Sequence, residues 1–310
     1  QITHSEAVFG QAKWPITDQL TLITGLRVSH EDRSYVGGSE FFLAGTNIAF
    51  PCPGLCPTFE DASIKDTSLS WHAGLNWKPS ENTLVYFSAA ESTKSGGFFN
   101  GITFQSEALA PYKPEHLTDY EVGVKSNFFD GKAQIDGSVF YYDYHNYQAQ
   151  TFTSVGLVSL IKLGNIPYAN VYGLDLGATW LPVDGLSLRA GLGLLSTRLG
   201  AFSVGVPVPG GNEMPDAPDT SFNGTIRYEH SLFEGFTGAI QFSGVYEGAH
   251  FFEALNTPYL LSPPSWVFNG RVSLASTDNG WEAAFWIQNM FNEQHPIQAT
   301  DDGQPIGAGY

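Results

Sequence analysis

The feature that most constrains the fold is a unit that recurs along the chain: a strand, a tight turn, a second strand and a long loop. The tight turns combine Pro, Asp, Asn and Gly, whose backbone preferences suit hairpin turns. They lie about fifty residues apart, at 14–18, 78–82, 129–132, 181–185, 232–235 and 277–280. Six hairpins predict twelve antiparallel strands and an all-β fold, with the tight turns at one end and the loops at the other.

The long stretches between the hairpins are rich in Gly, Pro and Ser, and we predict them to be loops. They cover residues 35–66, 93–115, 146–166, 201–219, 247–264 and 292–310. Short turns at one end and long loops at the other are typical of outer-membrane β-barrels, whose turns face the periplasm. A soluble β-sandwich also has short strands and turns, so this pattern alone does not separate the two classes.

Apolar and polar residues alternate within the strands, which places them on opposite faces because successive side chains point to opposite sides. The clearest case is 186–194, where one face is apolar and the other reads Ser187, Arg189, Gly191, Gly193. The same alternation runs through 20–29, 71–78, 172–180 and 222–229. Each strand is therefore predicted to have one apolar and one polar face.

Large aromatic residues near the tight turns favour a membrane barrel over a sandwich. A ring with an apolar body suits the boundary between lipid and water, whereas a sandwich has no reason to keep aromatics at one end of every hairpin. The predicted membrane-interface girdle consists of Trp14, Trp77, Phe128, Phe129, Trp180, Phe233 and Trp281.

The composition excludes several classes of protein and partner. No apolar run reaches about 18 residues, so the sequence predicts no transmembrane helix. Lys and Arg number 14 against 31 Asp and Glu, and the net charge of −17 argues against nucleic acid as a partner. Cys52 and Cys56 are separated by three residues and flanked by prolines, which favours a disulfide that staples the 35–66 loop over metal ligation.

Motifs for catalysis are not found in the sequence. The eight histidines have no metal-ligand spacing, and neither a Gly-x-Ser-x-Gly elbow nor a phosphate-binding loop appears. Glu121, Asp136 and Glu282 fall on predicted strands, where we expect hydrogen-bonded carboxylates on the polar face rather than an acid and base pair. We therefore predict a protein that is not an enzyme, with no catalytic residues, no cofactor and no metal site.

Aromatic residues in the loops are the predicted ligand contacts, because flat rings pack well against the faces of small-molecule ligands. For each of them, packing between loops is an alternative that the sequence leaves open. Basic residues are few in the loops, which gives only slight support for a strongly anionic ligand. The predicted contacts are Phe98, Phe99, Phe104, Tyr112, Phe152, Phe251, Phe252 and Tyr259.

Short segments along nearly the whole chain carry a resemblance to a known family. They occupy 6–11, 21–27, 84–88, 94–101, 120–125, 139–144, 172–176, 182–186 and 287–292. In this order and spacing, the chain resembles the C-terminal part of the barrel of TonB-dependent outer-membrane receptors. The resemblance implies an outer-membrane receptor for a ferric siderophore or similar nutrient, with a barrel of about twenty-two strands plugged by an N-terminal domain.

The resemblance also implies partners: TonB, acting through an N-terminal region that this sequence does not show, the nutrient ligand and outer-membrane lipid. Residues 1–310 are then expected to be a partial barrel of twelve consecutive strands, truncated at both ends, without the plug domain and the last strand. Two other functions stay open. The first is a passive porin, but porins usually line the lumen with rows of charged residues, whereas the polar faces here are rich in Gly, Ser, Thr and Asn. The second is a secreted β-sandwich binding protein, which would have no reason to keep an aromatic girdle.

Overall fold

A computed structural model describes residues 1–39, 58–99, 111–155, 158–203, 207–276 and 280–299. The first eight strands are β1 (Ile2–Pro15), β2 (Leu20–Ser39), β3 (Thr58–Ser80), β4 (Thr83–Lys94), β5 (Glu115–Phe128), β6 (Ala133–Val155), β7 (Val158–Trp180) and β8 (Leu186–Leu199). The others are β9 (Phe202–Ser203), β10 (Pro207–Val208), β11 (Thr220–Phe233), β12 (Phe236–Glu247), β13 (His250–Phe251), β14 (Leu261–Ser262), β15 (Ser265–Ser276) and β16 (Trp281–Ile287). One short 3₁₀ helix covers Pro258–Leu260. Across these ranges, no helix combines the length and apolar character that crossing a membrane requires.

Twelve long strands of the described ranges form one antiparallel sheet in chain order, from β1 through β8 to β11, β12, β15 and β16. All-β architecture is confirmed, and the strands on either side of each predicted tight turn pair with each other in this sheet. Residues 277–279 of the sixth predicted turn lie outside the described residues. Within the described residues, β1 and β16 are the edges of the sheet, which is not closed on itself.

One predicted loop, 146–166, is wrong: most of it is strand. The pairing of β6 with β7 continues through Tyr147↔Ile166 as far as Val155↔Val158. Likewise, β2 and β3 pair up to Ser39↔Thr58, well inside the predicted loop 35–66. Backbone hydrogen bonding does not need an apolar face, so a ladder can extend past the segment in which the alternation is readable.

The strand register joins the predicted apolar faces into one surface. Residues directly opposite each other in a ladder share a face, and Leu176 pairs with Leu192, which pairs in turn with Phe222. The only other sheets in the described ranges are two ladders of two-residue strands, too short to cover this surface. We call it the apolar face, and the opposite side, which carries Arg189 and Asp175, the polar face.

Small residues on the polar face make room for rings on neighbouring strands. Phe140 of β6 lies over its partner Gly173 of β7, and a Cβ at Gly173 would overlap the phenyl ring. Tyr86 of β4 lies over Gly123 of β5 in the same way. Glycine at these positions is therefore a packing requirement of the sheet.

Gly173→Val is expected to destabilise the sheet by about 1–3 kcal/mol, since overpacking forces the Phe140 ring from its place. The measurement is a urea titration of the full-length protein, which gives the free energy of unfolding of each variant. Gly10→Val is the matched control, because a Cβ at Gly10 meets no atom within 4 Å. Equal free energies of unfolding for the two variants would contradict this packing.

A small hydrophobic cluster joins the sheet to the segments that follow β8 and β12 at the loop end. Ile166 and Leu199 are almost fully buried within it, beside Met214 and Ala254. Because the cluster draws on both strands and connecting segments, it holds these segments against the ends of β6, β7 and β8.

Candidate ligand-binding site

A cavity of about 510 Å³ lies at the loop end, next to this cluster. One wall is the part of β6 at 147–150, and a second wall consists of 215–216 and 252–253. Residues 297–299 line it as well. The volume falls within the range of ordinary small-molecule sites, about 300–1,000 Å³.

Gln148 fixes the β6 wall of the cavity. Its buried side-chain nitrogen Nε2 donates to the main-chain carbonyls of Lys94 (3.3 Å), Ser95 (2.9 Å) and Lys113 (3.1 Å). Its backbone N–H donates to Glu115 Oε2 at 2.6 Å. A single side chain therefore ties β6 to the end of β4 and to the segment before β5.

Asparagine side chains tie the second wall together. Asn256 Oδ1 accepts the backbone N–H of Glu213 (2.6 Å), and Asn256 Nδ2 donates to the carbonyls of Glu213 (3.0 Å) and Glu253 (3.1 Å). Asn212 Nδ2 donates to the carbonyl of Ala254 at 2.9 Å. The segment around 212–216 is therefore hydrogen-bonded to 253–256, and the wall has a defined shape.

The cavity lining combines carboxylates, amides and rings. Asp216 and Glu253 carry the charges, and Tyr147 and Phe252 contribute the rings. Tyr147 lies beyond the apolar part of β6, and burial, followed by the charge of Glu115, raises its pKa to about 12. Its hydroxyl therefore stays protonated and uncharged at neutral pH. No described lining residue is a lysine, arginine or histidine.

Glu253 is a buried carboxylate, with 4% of its surface exposed. The Thr257 hydroxyl donates to its Oε1. Within the described part of the chain its second oxygen, Oε2, is buried without a hydrogen-bond partner. Buried carboxylate oxygens are usually hydrogen-bonded, so this atom marks a place where a donor is missing.

Among the predicted ligand contacts, Phe252 lines the cavity, and the carbonyl of Phe251 accepts the N–H of Asp216 at 2.8 Å. Phe98 is 3% exposed and stacks on Tyr35 with ring centroids 5.5 Å apart, a packing contact of the kind that the sequence left open. The ring of Tyr259 is exposed.

The remaining predicted contacts lie away from the cavity or outside the described residues. Tyr112 exchanges backbone hydrogen bonds with Gly97, and Phe99 is half-buried. Phe104, the Phe152 side chain and the predicted disulfide of Cys52 and Cys56 fall outside the described part. The structure thus brings Phe252 together with four residues that the sequence reasoning missed: Tyr147, Gln148, Asp216 and Glu253.

The three strand carboxylates have hydrogen-bond donors on the polar face, as expected. The Tyr86 hydroxyl donates to Glu121, and Arg271 donates to Glu282 Oε1 at 2.8 Å. Gln134 Nε2 donates weakly to Asp136 at 3.4 Å. The polar face also carries an ion pair between Arg227 and Glu229 at 2.7 Å.

The predicted girdle residues lie at the turn end of the sheet. Trp14, Trp77, Trp180 and Trp281 are all between 44% and 53% exposed. Phe128, Phe129 and Phe233 are exposed as well, and Phe236 packs between Phe233 and Trp281 at centroid distances of 4.7 and 5.8 Å. This arrangement supports a girdle, which stays a prediction.

A long antiparallel sheet with an apolar face that no other described sheet covers, a polar opposite face and a cavity at its loop end is the arrangement expected of the wall of a membrane β-barrel. The family model described as "TonB dependent receptor-like, beta-barrel" matches residues 1–290, and the chain belongs to this family. It is therefore a bacterial outer-membrane protein, and the resemblance read from the sequence is confirmed.

Known relatives agree with this assignment. The chain is 21% identical over 243 residues to the probable TonB-dependent siderophore receptor PiuA of Acinetobacter baumannii, covering 74% of this chain and 31% of the relative. It thus spans about a third of that relative's length.

Solved structures show the same fold. The ferric yersiniabactin uptake receptor FyuA of Yersinia pestis has a TM-score of 0.78 at 17% identity, over 97% of this chain and 43% of that protein. The copper transporter OprC has a TM-score of 0.69 at 17% identity, over 97% of this chain and 44% of that protein.

Proposed function

We propose that this chain is part of a receptor that imports a ferric siderophore or a similarly scarce nutrient in a TonB-dependent manner. The observation that carries the proposal is the cavity at the loop end of a family barrel wall, because a receptor of this class captures its ligand on that side. The siderophore receptor PiuA and the yersiniabactin receptor FyuA support the same nutrient class.

The finer architecture is also a proposal. We infer that the twelve strands belong to a barrel of about twenty-two strands. This is the size of outer-membrane transporters whose lumen holds a plug. In such a barrel the edge strands β1 and β16 pair with further strands, which removes two rows of unsatisfied backbone groups from the membrane. TonB acts through an N-terminal region of the whole protein.

Growth on defined nutrient sources tests the proposal. A strain that lacks the full-length gene is grown on a panel of ferric siderophores, and on a copper-limited medium because of the likeness to OprC. We expect growth to fail on one source, to be restored by the gene, and to fail again when TonB is deleted. Growth without TonB, together with a constantly open conductance of the purified protein in planar bilayers, would instead identify a passive porin.

A further inference from the structure

We propose that a groove on the apolar face binds one acyl chain of a phospholipid from the periplasmic leaflet, with the lipid phosphate held at Lys132. The groove has a volume of about 450 Å³ and crosses β7, β8, β11 and β12. It shares no lining residue with the loop-end cavity. The inference is therefore independent of which nutrient the receptor takes up.

The floor of the groove consists of small residues that lie directly opposite each other in successive ladders. Ala178 of β7 pairs with Ala190 of β8, which pairs in turn with Gly224 of β11. Gly224 pairs with Gly244 of β12, and the ring of Phe268 on β15 lies over Gly244, where a Cβ would come within 2.7 Å of it. The floor is therefore open from β7 to β11 and closed by an aromatic ring at β12.

Large apolar side chains form a wall on each side of this floor. They are Trp180, Leu188, Ile226 and Phe242 towards the turns, and Phe222 and Trp266 towards the loops. The rings of Trp266 and Phe268 are stacked with centroids 5.4 Å apart, and the ring of Phe222 lies 5.9 Å from that of Trp266. Rings that pack against each other hold their positions, so the groove has a defined shape.

The groove is part of the surface that contacts lipid. In a membrane β-barrel the apolar face is turned to the bilayer, and this groove is continuous with that face. The strands β7, β8, β11 and β12 each have two neighbours in the described sheet, so pairing of β1 and β16 with further strands leaves the groove unchanged. Left empty, its lining would lose dispersion contacts.

An acyl chain fills this groove better than a second copy of the barrel. A barrel wall is convex, so a second copy would contact the rings of Trp180 and Trp266 and leave the floor at Ala190 and Gly224 uncovered. A single acyl chain is thin and flexible enough to lie along the floor between the rings. Within lipid the hydrophobic effect favours neither occupant, so the closer van der Waals packing decides.

A basic residue lies at the turn end of the groove, where the lipid head group is expected. Trp180 lines the groove there, and the N–H of the next residue, Leu181, donates to the carbonyl of Lys132 at 2.7 Å. Lys132 is exposed in the turn before β6, and the turns of such barrels face the periplasm. Its ammonium group offers three N–H donors to a phosphate, and such charge-assisted hydrogen bonds are strong.

The course of the groove agrees with that of a lipid. Strands of a barrel are tilted, so a row of paired residues climbs from one strand to the next. Ala178 lies close to the turn end of β7, whereas Gly224 lies well inside β11. The floor therefore leads from the head-group region at Lys132 towards the middle of the membrane, as an acyl chain does.

Native mass spectrometry of the purified full-length receptor in detergent tests the groove, with dioleoyl phosphatidylglycerol as the probe. We expect the wild type to retain one molecule more tightly than any further ones. Ala190→Leu fills the floor of the groove and is expected to weaken this binding by at least about fivefold. The matched control Ala73→Leu, on the apolar face of β3 and outside the groove, should leave it unchanged.

Two further probes separate the chain from the phosphate. Dioleoylglycerol has the same chains without a phosphate and is expected to bind about fivefold more weakly, because it makes no charge-assisted hydrogen bond. Glycerol 3-phosphate has the phosphate without the chains and is expected not to bind. Lys132→Gln should bind phosphatidylglycerol as weakly as dioleoylglycerol, whereas Lys78→Gln, at the exposed residue directly after Trp77, should bind it like the wild type.

The inference is overturned if folded Ala190→Leu retains phosphatidylglycerol as tightly as the wild type, or if Ala73→Leu loses it equally. It is also overturned if Ala190→Leu converts a dimeric receptor into a monomer at unchanged lipid retention, because the occupant is then a second copy. Should Ala190→Leu fail to fold, Lys132→Gln decides, since it changes an exposed turn residue. Unchanged binding of phosphatidylglycerol in Lys132→Gln then counts against the inference.

Discussion

Val139→Arg in the full-length receptor is expected to lower the free energy of folding into lipid vesicles by about 2–4 kcal/mol, the cost of a cation on the lipid-facing side of a barrel. Val139 lies in the middle of β6 on the apolar face, between its partners Val122 and Leu174, and 53% of its surface is exposed. In lipid, the guanidinium has no water, and its described cross-strand neighbours Val122 and Leu174 offer it no carboxylate.

The matched control is the neighbouring residue. Ser138 points to the polar face, between its partners Gly123 and Asp175, so Ser138→Arg gains an acidic neighbour and is expected to change stability by less than about 1 kcal/mol. Urea titrations, read by heat-modifiable migration in gels, compare the two variants. If Ser138→Arg were as damaging as Val139→Arg, the assignment of the apolar face to lipid would be wrong.

Gln148→Ala is expected to destabilise the loop end by about 2–3 kcal/mol and to weaken ligand binding. The change leaves the carbonyls of Lys94 and Ser95 without this donor, and each buried polar group without a partner costs about 1–3 kcal/mol. The carbonyl of Lys113 loses less, because Asn165 Nδ2 also donates to it at 3.0 Å. The β6 wall of the cavity is then held less firmly.

Amide hydrogen exchange at 94–95 and 148–150 measures this loosening, beside unfolding in urea. Gln134→Ala is the matched control, since Gln134 is an exposed residue of the same strand with one long hydrogen bond of 3.4 Å. We expect faster exchange in Gln148→Ala and no change in Gln134→Ala. The proposed role of Gln148 in holding the loop end together is refuted if both variants exchange at the wild-type rate.

The parts of the fold that could be predicted are those whose signals lie within short stretches of sequence. The turn at 129–132 and the alternation over 186–194 involve only neighbouring residues, and both predictions agree with the structure. The end of the β6–β7 hairpin could not be read in this way, because Gly and Ser in 146–166 suggested a loop while the ladder continues to Val155↔Val158.

The site residues also divide into those that the sequence predicted and those that only the folded chain brings together. Phe252 was predicted as a ligand contact from its type and its position in a loop, and it does line the cavity. Phe98 was predicted as a ligand contact for the same reasons, but its ring stacks on the ring of Tyr35. Neither Gln148 nor Glu253 carried any signal, since a buried glutamine clamp and an unpartnered carboxylate arise only from residues far apart in sequence.

The amino-acid sequence by itself determined the all-β architecture, the six hairpins and the two faces of each strand, because turn chemistry and alternating polarity act on neighbouring residues and set the backbone directly. Only the tertiary structure decided where the long ladders end, which loop aromatics are packed away, and that Tyr147 and Glu253 line the same cavity. These outcomes depend on strand register and on loops packing against each other, and both are properties of the folded chain rather than of any short segment.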